Sequence, residues 1–151
     1  MGAPTAITVT KNRILVDGLN FRSTWEVKIY RILNRYASHL QYEPTVKLFE
    51  KKWIKPDFVV GNVAIEVSGF ASAQEKSRKQ NIDKIWLYLE HTELKVLWIV
   101  GKRYRHFYDE IFINEPRVEI VSYETFIKSD FQQICNYLRL PEKDPLTQVT
   151  E

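Results

Sequence analysis

The sequence predicts an α/β protein, a single domain with a central mixed sheet flanked by helices on both faces. Three observations carry this. Apolar residues at 25, 29, 32, 33 and 36 follow helical spacing. Two short apolar runs, 57–60 and 63–67, are separated only by Gly61–Asn62, a tight-hairpin signal. A long helical pattern over 72–91 then leads into the apolar run Lys95–Val100. Helix, three strands, helix, strand is a layered order, and 151 residues suffice for one substantial core. The domain is expected to span 1–141, with 142–151 a flexible tail.

Along the chain, residues 7–16 suggest a hairpin turning at Lys11–Asn12, after which Asp17–Gly18 breaks the strand. Ser23 with Glu26 three residues on is a capping box, so a helix opens there and runs to about Ser38. Residues 41–49, 57–60 and 63–67 read as three strands, with Lys51–Lys52 and Gly61–Asn62 as turns. The helix over 72–91 puts Ile82, Ile85, Trp86 and Leu89 on its inner face. A helix over 102–112, a strand over 117–121 and a closing helix over 123–139, stopped before Pro141, complete the pattern.

Bulk composition excludes several classes. The chain is 44% hydrophobic and 27% charged, as in ordinary globular proteins. One cysteine, Cys135, rules out an internal disulfide and a cysteine-based zinc site, and its helical context reads as a buried structural thiol. No apolar stretch is long enough for a membrane span and no signal-peptide pattern opens the chain, so a cytoplasmic protein without membrane contact is the expectation. The net charge of +3 permits a polyanionic partner without demanding one.

The chemistry-bearing segment is 54–68. Asp57 opens one apolar run and Glu66 lies inside the next. If 57–60 and 63–67 are antiparallel about residues 61–62, the two acids face each other with Cβ atoms roughly 5 Å apart. Isolated carboxylates are costly to bury, and like charges opposed across a ladder destabilise it. A divalent cation such as Mg²⁺ or Mn²⁺ is the usual compensation, with Asp57, Glu66 and the carbonyl of Val67 as oxygen donors. Glu26 is a third acid. It aligns with Ile29, Tyr30 and Leu33 on the sheet-facing side of its helix, although a capping role with Ser23 also accounts for it.

Pro56-Asp57 followed by Ile65-Glu66-Val67-Ser68, with Arg22-Ser23-Thr24-Trp25-Glu26 upstream, resembles the PD-(D/E)XK nuclease superfamily over roughly residues 21–100. The likeness is to phage junction-resolving endonucleases, head-completion nucleases and transposase endonuclease subunits. The resemblance implies a restriction-endonuclease-like αβββαβ core and magnesium-dependent endonucleolytic hydrolysis of DNA phosphodiester bonds. It also implies phage or mobile-element DNA as substrate and a catalytic set of Glu26, Asp57, Glu66 and a lysine. A domain this small has little room for extensive base readout, so structure-selective or partner-guided cleavage is the expectation. Ser68 stands where that lysine is expected. Three readings follow, in order of preference. A lysine has moved to the next helix (Lys76, Lys79 or Lys84, with Lys79 best placed by sharing a face with Ile82 and Trp86), the metal suffices alone, or activity is lost.

Arg22, Lys52, Lys55, Lys76, Arg78 and Lys84 are the candidate DNA contacts, Arg78 as a phosphate clamp. A solvated helix face is the other reading of such charge runs, and adjacency to the acids favours phosphate contact for Lys76, Arg78 and Lys84. Lys102, Arg103, Arg105 and His106 form a further basic cluster with the same two readings, and Trp53, in a basic turn, is the aromatic to test for base contact. A homodimer is one arrangement that would cut both strands. The alternative function is a catalytically inactive DNA-binding or assembly subunit that keeps the fold.

Overall fold

The structure, a computed structural model, describes residues 8–10, 13–69 and 75–139. The expected Lys11–Asn12 turn, the first residues of the 72–91 helix and the 142–151 tail lie outside these. Strand β1 (Thr8–Thr10) pairs antiparallel with β2 (Arg13–Val16), as the sequence suggests. Asp17 and Gly18 then adopt positive φ, 53° and 79°, the conformation of a two-residue hairpin turn. They therefore do more than break the strand. They fold a third one, β3 (Leu19–Phe21), back onto β2 with Val16 opposite Leu19.

Helix α1 (Thr24–Tyr36) is capped by Ser23, whose Oγ accepts the Glu26 N–H at 3.2 Å. The predicted strand 41–49 is two strands. Glu43 takes positive φ (49°) before Pro44, which ends β4 (Leu40–Tyr42) and re-aims the chain. Strands β5 (Val46–Phe49) and β6 (Lys52–Ile54) then pair only with each other, turning at Glu50–Lys51 rather than at Lys51–Lys52. Next come β7 (Phe58–Val60) and β8 (Val63–Ser68), joined by Gly61 at φ +58°. Helix α2 (Glu75–His91) crosses to β9 (Lys95–Val100). The predicted 102–112 helix is a 3-10 turn over Lys102–Tyr104 followed by α3 (Arg105–Ile111). After β10 (Val118–Ser122), the predicted closing helix is broken into α4 (Tyr123–Phe126) and α5 (Phe131–Leu138). The break has a local cause: Asp130 caps α5 through a full capping box with Gln133.

The central sheet is five-stranded and mixed, in the order β10-β9-β8-β7-β4. Strands β8, β9 and β10 are parallel, and β7 is antiparallel to both β8 and β4. Alternation along β9 divides the core in two. Leu97 and Ile99 pack with Leu33, Phe58, Phe126 and Ile134 on the α1 and α5 side. Val96, Trp98 and Val100 pack with Ala64, Ile85, Tyr88 and Tyr108 on the α2 and α3 side. Burial on both faces explains the unbroken apolar run that made β9 legible. Glu66 and Ser68 alternate with Ile65 and so share the α2 side.

The far end of α2 is fixed by Arg117. Its guanidinium donates to the carbonyl of Leu89 at 3.0 Å, one of those a helix C-terminus otherwise leaves unpaired, and to those of Thr92 at 2.5 Å and Leu94 at 2.7 Å in the loop that follows. Cys135 is a buried thiol, as expected. No helix among the described residues is long and apolar enough to cross a membrane.

Candidate active site

The β7–β8 ladder positions the acids. Phe58 pairs with Ile65 and Val59 with Ala64, so one further step sets Asp57 opposite Glu66. Both are buried, 5% and 6% exposed. Asp57 Oδ2 accepts the Val67 N–H at 2.8 Å, and the Asp57 carbonyl accepts from Glu43 N–H at 2.9 Å. Burial, then the Glu66 charge, pushes the Asp57 carboxyl up to about 7, although Lys84, the Val67 N–H and Arg22 pull the other way. Burial also holds Glu66 above the usual carboxylate range against the opposing effects of Lys84 and Tyr88.

Glu66 draws its partners from α2. Lys84 Nζ donates to Glu66 Oε1 at 2.9 Å and to the Lys55 carbonyl at 2.8 Å. Tyr88, one turn further on, donates its hydroxyl to Glu66 Oε2 in a short hydrogen bond, and burial with Glu66 beside it raises the phenol strongly. The lysine at the acids is therefore Lys84 rather than Lys79, which is exposed and is not among the residues around them. The reason is rotational. Five helical positions separate the two, well over a quarter turn, and the buried side of α2 is Ile85 and Tyr88, with Ile82, Trp86 and Leu89 only half-buried beside it.

Glu26 arrives from the opposite layer. Its carboxylate accepts the Arg22 N–H at 3.1 Å and the Tyr42 hydroxyl at 3.1 Å. The capping box is thus half made: Ser23 caps, but Glu26 reaches past the Ser23 N–H to that of Arg22. Burial, then the Asp57 charge, raises Glu26. Tyr42 is raised in turn by burial and by Glu26. Arg22 pairs its guanidinium with Glu43. Glu26, Asp57, Glu66, Val67, Arg22, Ser68 and Lys84 all line one cleft of about 370 Å³. Two larger clefts, of about 670 and 630 Å³, lie around α3 and β10 and contain none of these acids.

Ser68 is occupied by structure. Its Oγ accepts the Trp98 Nε1–H at 2.8 Å. Trp98 is fully buried, with its ring 4.1 Å from that of Tyr108. A buried indole N–H needs an acceptor. Ser68 supplies it, and Trp98 becomes its neighbour only once β8 and β9 are known to pair.

The remaining sequence candidates are dispersed. Arg78 lies over the Phe107 ring at 5.3 Å, and Lys76 is exposed on the first turns of α2. Lys52 lies in β6, and Lys55 follows it. Among the described residues, no three His, Cys, Asp or Glu side chains converge closely enough to hold a metal ion by themselves. The donor chemistry nonetheless suits a hard divalent cation: two opposed, buried carboxylates, each held above the usual carboxylate range chiefly by that burial. Comparison with models of known protein families, with curated proteins and with solved structures finds no match to this chain.

Proposed function

We propose that this chain is a metal-dependent endodeoxyribonuclease of PD-(D/E)XK type. The observation that carries the proposal is the opposed, buried pair Asp57 and Glu66, both held above the normal carboxylate range and met by one lysine from the following helix. With the separate β5–β6 hairpin inserted after β4, the central-sheet order α1, β4, β7, β8, α2, β9 supports the restriction-endonuclease-like core on which such sites are built.

Asp57 and Glu66 would hold Mg²⁺ or Mn²⁺, with the Val67 backbone beside them. When bound, the ion supplies Lewis acidity toward the phosphate and lowers the pKa of an attacking water. Glu26 positions water at the cleft through a carboxylate that Arg22 and Tyr42 already orient. Lys84 takes the part of the absent motif lysine. Fixed between Glu66 and the Lys55 carbonyl, its ammonium supplies positive charge where the phosphate gains negative charge.

Nicking of supercoiled plasmid in Mg²⁺ or Mn²⁺, abolished by EDTA, is the expected activity. Asp57→Asn should lower the rate by at least about a thousandfold while DNA binding persists. No cleavage of supercoiled, linear, branched or single-stranded DNA in either metal overturns the reading. One observation favours a second reading. Ser68 is committed to Trp98, and both Glu66 oxygens already accept hydrogen bonds. A non-catalytic DNA-binding or assembly subunit would have this constitution, and it would bind DNA without cutting it.

A further inference from the structure

We infer that the β5–β6 hairpin is a docking arm for unpaired DNA bases, set beside the acidic cleft. The inference rests on the DNA reading above and names the substrate class, DNA with an unpaired stretch.

The hairpin stands apart from the central sheet and has two unlike faces. Leu48 and Ile54 are buried in the core beneath α2. On the outer face Trp53 is 54% exposed, and Phe49, its ring 4.7 Å from that of His91, is 48% exposed. Across the ladder from Trp53 stands Lys47, with Nζ 5.8 Å from the indole centroid. Residues 46–55 carry Lys47, Lys51, Lys52 and Lys55 against Glu50 alone, an excess equal to the +3 of the whole chain.

A bare apolar patch would suit a protein partner, but this one is interleaved with lysines. Aromatic planes among cations match a strand of stacked bases on a phosphate backbone. Duplex bases are closed to such stacking, whereas unpaired ones offer a free face. Position agrees with chemistry. The Lys84 ammonium donates to the Lys55 carbonyl at the foot of the arm and to Glu66 in the cleft, and Asp57 follows Trp53 by four residues. The foot of the arm is thus bonded to the cleft through Lys84.

The test is fluorescence anisotropy in EDTA, so that no cleavage intrudes, with a labelled oligodeoxythymidylate and a flush duplex of equal length. The oligodeoxythymidylate should bind more tightly than the duplex and quench tryptophan emission. Trp53→Ala should weaken its binding about tenfold, and Trp53→Phe should restore most of the affinity while abolishing the quench. Lys51→Ala with Lys52→Ala should flatten the salt dependence. Trp53 is exposed, so melting temperature should not move, and the Phe variant decides the matter if it does. A Trp53→Ala protein that binds the oligonucleotide as tightly as wild type overturns the inference, as does preference for the duplex. A protein that binds through Trp53 but never cuts defeats the nuclease reading and leaves this one standing. One that cuts while ignoring Trp53 does the reverse.

Discussion

The side chain that distinguishes the proposed chemistry from a structural ion pair is Lys84. Its side chain is 30% exposed and meets a carboxylate side chain that is almost wholly buried. Lys84→Ala should leave Glu66 facing Asp57 without its nearest cation and lower plasmid nicking about a hundredfold. Lys79→Ala, an exposed change, should leave the rate within about twofold. Equal effects from both, measured in one nicking assay, would exclude Lys84 from the site. The sequence contained this lysine but could not choose it. Spacing along a helix gives relative angles, and the zero of angle is set by which side packs. The predicted inner face is Ile82, Ile85, Trp86 and Leu89, whereas the buried side centres on Ile85 and Tyr88. The acids were legible because their opposition depends only on a two-residue turn, Gly61–Asn62. Ser68 was legible as a departure but not as the partner of Trp98, since that bond spans thirty residues and a parallel strand pair.

At the level of elements, α2 delivers Lys84 and Tyr88, and Arg117 holds its C-terminal end. Removing a guanidinium that satisfies the Leu89, Thr92 and Leu94 carbonyls should be costly. Arg117→Ala is expected to reduce stability by roughly 2 kcal/mol, a fall of about 5 °C in melting temperature. Arg117→Lys should recover little, because an ammonium cannot reproduce the fork. A melting curve unchanged by Arg117→Ala would show that α2 is held by its apolar face alone. The misread elements share a cause: short polar signals set inside longer apolar patterns. Asp17–Gly18 was a hairpin turn as strong as Gly61–Asn62, yet its second strand is only Leu19–Phe21. Asp130 and Gln133 announced a helix start within what periodicity ran together as one helix. Glu43–Pro44 ended a strand that its apolar content would have continued. Long elements were legible because packing requires a long periodic stripe; short ones depend on single residues whose partners lie elsewhere.

For the molecule as a whole, the cleft sets acids against stability. Burial raises Glu26, Asp57 and Glu66 together, and Asp57 reaches about 7 from an ordinary 3.8. The folded protein therefore keeps a proton on Asp57 at pH values where the unfolded chain has lost it. Between those two pKa values the native state binds more protons than the unfolded state, so this group's contribution to stability falls as pH rises. Most ordinary carboxylates are already ionised above about pH 6, so the slope in the window from 6 to 8 belongs to the raised acids of the cleft, Asp57 with Glu26 and Glu66. In EDTA the protein is expected to melt lower at pH 8 than at pH 6. Asp57→Asn removes the Asp57 share of the titration, and should both make that dependence shallower and raise stability at pH 8. Mg²⁺ should replace the lost proton, raising the melting temperature of the wild-type protein more at pH 8 than at pH 6 and that of Asp57→Asn little at either. Differential scanning calorimetry over the two pH values, with and without the ion, reads all of these shifts. A wild-type protein in EDTA that gains stability between pH 6 and 8, with Asp57→Asn following it in parallel, would mean that Asp57 is ionised and compensated by Lys84 and Arg22. The acids would then need no cation from solution.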